Sequence, residues 1–311
     1  MNQAVFVMDA LEAIKPEKDT TFALMLEAQR RGLPVWYANE GDLALEGGDC
    51  TARLRRVELA DRDRDFFRVV EEDRRALGAG DRVFMRSDPP VDDSYIYSTL
   101  LLDRVQAAGG QVVNRPEALR GFNEKLAISR FADWIPDTLV SADIELLRAF
   151  VDARERAVIK PLDGMGGRGI FVVSSSDPNL SVILETLTDH GSTLAMIQQF
   201  LPGIADGDKR VLMVGGEPVP YMLARIPAAK DFRGNLARGG RGEGRPLTDA
   251  ERAIAAAVGP VLVENGIEFA GLDVIDGKLT EINVTSPTCI RELDAQFGIN
   301  IAGLLFDALE R

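Results

Sequence analysis

Residues 271–286, Gly-Leu-Asp-Val-Ile-Asp-Gly-Lys-Leu-Thr-Glu-Ile-Asn-Val-Thr-Ser, constrain the chain more than any other stretch. Apolar and polar residues alternate on both sides of Asp276-Gly277, and Asp-Gly between two alternating runs is the strongest short-range hairpin signal. Side-chain direction reverses at every strand residue, so turn length decides which polar groups share a face. A two-residue turn would set Asp273 opposite Thr280 and point its carboxylate away from Glu281. A three-residue loop, Ile275-Asp276-Gly277 with Gly277 left-handed, sets Asp273 opposite Leu279 and aligns Asp273, Glu281 and Asn283; this is the register we expect. Two carboxylates and an amide oxygen on one face make a hard oxygen site, suited to Mg²⁺ held jointly with nucleotide phosphates. The same pattern without a ligand is a solvated hairpin face.

Composition narrows the chemistry. A length of 311 residues suggests about two domains, and a net charge of -13 argues against a nucleic-acid surface, which needs clustered Lys and Arg. The N-terminal residues 1–9 lack a basic region and read as a first strand rather than a signal peptide. The longest apolar run, 253–263, contains Gly259 and Pro260 and is too short to span a bilayer, so no membrane segment is expected. Cys50 and Cys289 stand far apart without companions, which fits a reducing cytoplasm; Cys289 reads as a small packed hydrophobe at a helix start. The single histidine, His190, precedes Gly191 at the end of a helical pattern, where an imidazole caps carbonyls. Triad, His-zinc and imidazole acid-base mechanisms therefore lose their usual residue, leaving Arg, Lys, carboxylate and metal, the set used in phosphoryl transfer.

Taken in order, residues 4–8, 22–31 and 35–37 read strand, helix, strand, and 81–86, 94–108 and 111–114 repeat the pattern, implying an open α/β domain. The charged stretch 42–73, with a hairpin across Gly47-Gly48, reads as a peripheral excursion. Arg86 ends a strand before Ser-Asp-Pro-Pro, where open α/β sheets place ligand groups; the alternative is a surface arginine ahead of a rigid loop. From Ala157 the chain reads strand, glycine-rich loop, strand: Ala-Val-Ile-Lys160-Pro-Leu-Asp-Gly164-Met165-Gly166-Gly167-Arg-Gly-Ile-Phe-Val-Val173. It has neither Gly-Lys-Ser/Thr nor a following helix, which excludes a Walker loop and a dinucleotide fingerprint. Such a loop can fold over phosphates with Lys160 as a point charge, or be a plain hairpin. An apolar strand, 194–201, precedes Asp206-Gly-Asp208-Lys-Arg210 and a further hairpin across Gly215-Gly216. Residues 226–242, rich in glycine and carrying Arg233, Arg238 and Arg241, read as a lid or an inert loop. Thr248 and Glu251 form a capping box that opens a helix to Asn265.

Together, Lys160-Pro-Leu-Asp-Gly-Met-Gly-Gly, Asp208-Lys-Arg, Gly239-Gly-Arg-Gly and Leu279-Thr-Glu-Ile-Asn-Val-Thr-Ser-Pro-Thr-Cys-Ile-Arg291 closely resemble the bacterial glutathione synthetases, ATP-grasp carboxylate-amine ligases. Leu26-Glu-Ala-Gln-Arg-Arg-Gly32 and Arg86-Ser-Asp-Pro-Pro90 extend the resemblance over the chain, while Arg168 and Phe200 depart from it.

The resemblance implies an α/β (α+β) ATP-grasp fold with an open N-terminal pre-grasp domain at 1–121, a central subdomain at 122–200 and a C-terminal subdomain at 201–311 carrying the lid and the metal hairpin. ATP would bind between the last two: Lys125, Lys160, Gly164, Met165, Gly166 and Gly167 at the phosphates, Gln198, Gln199, Phe200 and Leu201 at adenine, Asp208 near the ribose. Asp273, Glu281 and Asn283 would hold Mg²⁺ (or Mn²⁺). Arg210, Arg225 and Arg233 would stabilise charge during catalysis, and Arg86, Arg233 and Arg241 would bind substrate. By the same resemblance the substrates are gamma-glutamylcysteine and glycine, joined through an acyl phosphate by a cytoplasmic homotetramer. Another ATP-grasp ligase, of D-alanine or glutamyl type, and a non-catalytic ATP-binding module as in synapsins are the alternatives.

Overall fold

The computed structural model describes residues 2–164, 166–228 and 240–311, so Met165, Arg233 and most of the expected lid lie outside the described residues. β1 (Gln3–Val7), α1 (Thr20–Arg30) and β2 (Val35–Ala38) follow the predicted alternation, with the Asp19 carboxylate capping α1 by accepting the Phe22 N–H at 2.6 Å. β3 (Leu43–Glu46), β4 (Asp49–Leu59), β5 (Phe67–Ala76), β6 (Asp81–Met85), α2 (Asp93–Ala107) and β7 (Gln111–Val113) complete the first domain. Its seven strands run β3-β4-β2-β1-β6-β7 with β5 beside β4; β1 is parallel to β2 and β6, and β6 to β7. The stretch 42–73 is more than a peripheral excursion. β4 pairs with β2 and buries Cys50, Ala52 and Leu54, because alternate residues of this charged strand are apolar; β5 is the part left outside.

α3 (Pro116–Gly121) and 3-10 turns over Leu126–Trp134 lead to a second sheet formed by β8 (Thr138–Ser141), β9 (Ala157–Pro161), β10 (Phe171–Val173) and β11 (Ala195–Gln199), ordered β10-β9-β11-β8. α4 (Ile144–Asp152) and α5 (Leu180–Leu187) cover it with Leu147, Val151, Leu180 and Leu184, giving this sheet its own core. After α5 the backbone amide of His190 donates to Glu185 O at 2.8 Å, doing the closing expected of the imidazole.

The third sheet holds β12 (Asp208–Val214), β13 (Glu217–Ile226), β14 (Arg241–Pro246), β15 (Phe269–Ile275) and β16 (Lys278–Asn283), ordered β14-β13-β12-β15-β16. α6 (Asp249–Glu264) opens on the Thr248–Glu251 capping box, and α7 (Ile290–Phe297) and α8 (Ile301–Ala308) end the chain. Ile226 and Arg241 pair as strand residues, so the described ends of the expected lid belong to the sheet. Phe84 of β6, Leu212 of β12 and Phe306 of α8 share one hydrophobic cluster, which joins the third sheet to the first domain. Among the described residues no helix is long and apolar enough to cross a membrane.

Candidate active site

The β15–β16 turn corrects the expected loop. Asp276 (φ 50°) and Gly277 (φ 67°) are both left-handed, giving a two-residue turn with Ile275 opposite Lys278 and Val274 opposite Leu279. That register would pair Asp273 with Thr280. Instead Thr280 is the extra residue of a bulge, its hydroxyl bonded to Asp273 O at 3.1 Å, and Asp273 faces Glu281. The bulge restores the shared face that we assigned to a longer loop: Asp273, Glu281 and Asn283 all line one cavity.

Cross-strand register also sets the ion pairs. Arg210 of β12 lies opposite Asp273 of β15, and Asp208, two residues earlier on the same face, lies opposite Arg225 of β13. Arg210 donates Nε–H to Asp273 Oδ1 at 2.5 Å and Nη2–H to Oδ2 at 3.1 Å. Arg225 Nη2 bridges Asp208 and Asp273 Oδ2, the latter at 2.9 Å. Gly271 makes room, since a Cβ there would stand 2.8 Å from Arg210 Cδ and 3.1 Å from Pro287 Cβ. Burial would raise the Asp273 carboxyl, but the two guanidiniums outweigh it and hold it well below the usual range. Burial, with Asp273 and Glu281 nearby, pushes Asp208 up against the pull of Arg225, and its Oδ1 is buried without a partner among the described residues. Glu281, half-buried and raised by that desolvation, is drawn down overall by Lys160, whose Nζ stands 3.2 Å from its Oε1, and by Lys125.

The cavity, about 300 Å³, lies between the second and third sheets. Lys160, Gly164, Gly166, Gly167, Gln198, Gln199, Phe200 and Leu201 line it from the second sheet and its hinge. Asp208, Arg210, Arg225, Asp273, Glu281 and Asn283 line it from the third. Lys125 reaches the loop from behind, donating to Gly164 O at 2.6 Å. The loop glycines are needed where Gly166, Gly167 and Gly169 take φ between 61° and 75°. At the hinge the Arg156 guanidinium covers the departing Phe200 ring at 3.8 Å, and Phe200 N–H donates to Arg156 O.

Two expected substrate residues stand elsewhere. Arg241 is exposed on β14 and paired with Glu243 at 3.0 Å. Arg86 is neither on the surface nor on the cavity wall: it is buried, with its guanidinium on backbone carbonyls of residues 285 and 287. Sequence reading passed over Glu124, Asp88, Thr285, Ser286 and Thr288, all on the cavity wall. The last three follow the hairpin inside the quoted motif; Glu124 beside Lys125 sits in no pattern. Burial, then the charge of Glu281, pushes the Glu124 carboxyl up to about 6. Cys289 is buried, and burial raises its thiol, as suits a packed hydrophobe.

Among the described residues no group of three His, Cys, Asp or Glu side chains is placed to hold a metal. Asp273 Oδ2 accepts three N–H groups, from Arg210, Arg225 and Asn283 (the last at 3.2 Å), whereas Oδ1 accepts one, from Arg210, and so keeps a lone-pair site. Glu281 and the Asn283 oxygen remain as a hard-oxygen pair, which fits a divalent cation completed by phosphate oxygens. Asp273 can join them through Oδ1, which carries a single donor.

Two facing sheets, a glycine-rich loop over one side and buried paired charges on the other define an ATP-grasp ligase. Solved structures with this fold include D-cycloserine synthetase DcsG (TM-score 0.66, 15% identity, covering 99% of this chain and 98% of that one). Another is the ATP-grasp ligase PsnB complexed with a phosphomimetic variant of minimal precursor, Mg and ADP (TM-score 0.64, 18% identity, 99% and 98%). Family models for the prokaryotic glutathione synthetase N-terminal domain and ATP-grasp domain match residues 2–120 and 124–298. The glutathione synthetase of Xanthomonas campestris pv. campestris is 56% identical over 306 residues, covering 98% of this chain and 97% of the relative; that of Vibrio cholerae is 52% identical over 305 residues, covering 98% and 96%. The chain belongs to the prokaryotic glutathione synthetase family, whose ATP-grasp domain binds ATP and a divalent metal.

Proposed function

We propose that the chain is a glutathione synthetase that joins gamma-L-glutamyl-L-cysteine to glycine with ATP, giving glutathione, ADP and phosphate. The observation that carries the mechanism is the buried Arg210–Asp273–Arg225 cluster beside Lys160 and the glycine loop in one cavity. Lys160, Lys125 and the loop amides hold the phosphates; the Gln198–Leu201 hinge meets adenine, and Asp208 Oδ1 faces the ribose. Glu281, Asn283 and Asp273 would hold Mg²⁺ or Mn²⁺, Asp273 being also the arginine counter-ion; the bound metal would supply charge neutralisation at the transferring phosphoryl group. Arg210 and Arg225 stabilise the oxyanion charge that develops as the cysteinyl carboxylate becomes an acyl phosphate and glycine's amine displaces phosphate. No protein nucleophile is required. Arg233 is the lid contact of this reading, and a cytoplasmic homotetramer its assembly. An ADP-release assay with gamma-glutamylcysteine and glycine, each omitted in turn, tests it: full turnover should need both. Turnover indifferent to the dipeptide would overturn the assignment.

A further inference from the structure

The covalent link between the second and third sheets changes its attachment within three residues. Gln199 N–H donates to Asp137 O at 2.9 Å and Phe200 N–H to Arg156 O at 3.2 Å, and both acceptors directly precede strands of the second sheet, β8 and β9. From Gly203 onward the ties run to the third sheet. Gly203 N–H donates to Asp276 Oδ2, in the β15–β16 turn, at 2.7 Å. At the other end of the 3-10 turn Pro202–Asp206, the Asp206 carboxylate accepts Nη1–H of Arg245, on β14, at 2.9 Å and stands 3.6 Å from Lys209 Nζ, on β12. Leu201 has no side-chain oxygen to cap that turn and Pro202 has no N–H, so Asp276 supplies the cap from 73 residues away.

The fit of Asp276 to Gly203 is reciprocal. Gly203 does not take the left-handed conformation, so its backbone makes no demand for glycine. A Cβ there would stand 1.6 Å from Asp276 Oδ1, so the carboxylate is what excludes a side chain. The hairpin turn in its own right would be met equally by Asn or Gly at position 276; a carboxylate aimed at the Gly203 N–H serves something besides the turn. What it holds is part of the cavity wall. Ile204, inside the latched turn, and Ile275, beside Asp276, line the cavity together with Leu201, while Val158 and Ile170 line it from the second sheet and its loop. Apolar side chains from both sheets make a slot suited to the faces of a flat ring.

Resting on the placement of adenine proposed above, we infer that Asp276 is a positioning residue: its carboxylate latches the Pro202–Asp206 turn to the third sheet, so that Ile204 and Ile275 form one fixed side of the base slot and the joint between the sheets is confined to Leu201-Pro202. Asp276→Gly keeps the turn, since glycine takes a φ of 50° without cost, and removes the acceptor. The KM for ATP and the inhibition constant of adenosine should rise together by about three- to tenfold, the worth of one partly solvated hydrogen bond, while kcat and the KM for gamma-glutamylcysteine stay within about twofold. Asp276→Asn, whose amide oxygen still accepts the N–H, should recover most of the loss. Gly203→Ala pushes the carboxylate aside and should match Asp276→Gly, which also covers the case of one variant failing to fold; the double variant should lose no more than either single, because both remove the same bond. An unchanged KM for ATP, equal rises for ATP and dipeptide, or additive losses in the double variant would overturn the inference. The wild type separates the two claims: if adenosine does not compete with ATP there, the adenine placement falls and takes this inference with it, whereas competition that Asp276→Gly leaves unchanged overturns the inference alone.

Discussion

The floor of the cavity, strands β12, β13, β15 and β16, and its roof, the loop between β9 and β10, both face charged ligand groups but are held in place differently. On the floor, strand register sets Arg210 against Asp273 and Asp208 against Arg225, and the supporting cores run into the first domain. The roof belongs to a sheet with its own core, and its glycine loop is tied down by the Lys125 bond to Gly164 O and the Asn123 bond to Leu162 O together with the partners of Gly166 and Gly167. Fixed, desolvated dipoles and charges serve best where charge develops in the reaction, because they need no reorganisation then. A segment that admits and releases nucleotide is better built with fewer tertiary ties.

This contrast breaks most sharply at Arg210. Arg210→Ala leaves the buried Asp273 with half its partners and should cost about 3–5 kcal/mol in denaturant unfolding, with much of the loss recovered in Arg210→Ala/Asp273→Ala. An additive double mutant would show that the floor is not organised by that pair. Glu281→Gln should leave the fold intact yet lower Mg²⁺-dependent turnover by more than about a hundredfold, since removing a ligand exceeds the effect of removing its supports. Normal activity at limiting Mg²⁺ would move the metal elsewhere. On the roof side, Lys160→Ala should weaken ATP by at least about tenfold and adenosine hardly at all; equal weakening would count against a phosphate contact.

Glycine substitutions sharpen the difference between floor and roof. Gly271→Ala puts a methyl against Arg210 Cδ and Pro287, an overpacking worth about 1–3 kcal/mol, and should lower turnover as well. Gly166→Ala meets no described residue within 4 Å and is opposed by its φ of 61°, worth about 1 kcal/mol, so thermal melting should barely change while ATP binding weakens. The smallest effect concerns pH. Glu124 has a folded pKa of about 6, above the ordinary 4.5, so its ionised form opposes folding above pH 6 and that opposition fades as pH falls from 6 to 4.5. Glu124→Gln should therefore be more stable than wild type at pH 7.5 by on the order of 1–2 kcal/mol, with the advantage gone near pH 4.5. A constant difference across that range would remove Glu124 from the titrating groups.

Local pattern by itself determined a good deal of this protein. Alternation placed the Asp276-Gly277 hairpin, the strands flanking the glycine loop and the Thr248 cap, because each depends on residues a few positions apart. The single histidine directed the chemistry to cations, carboxylates and metal, since residue types limit what a site can do wherever it folds. Tertiary structure alone decided the Thr280 bulge, the inward course of Arg86, the core-forming half of residues 42–73 and the place of Glu124 on the cavity wall. Each of these rests on which strand becomes whose neighbour across tens to hundreds of residues. A periodicity read along the chain carries no term for such pairings, and the Arg210–Asp273 pair, 63 residues apart in sequence, exists only because β12 lies beside β15.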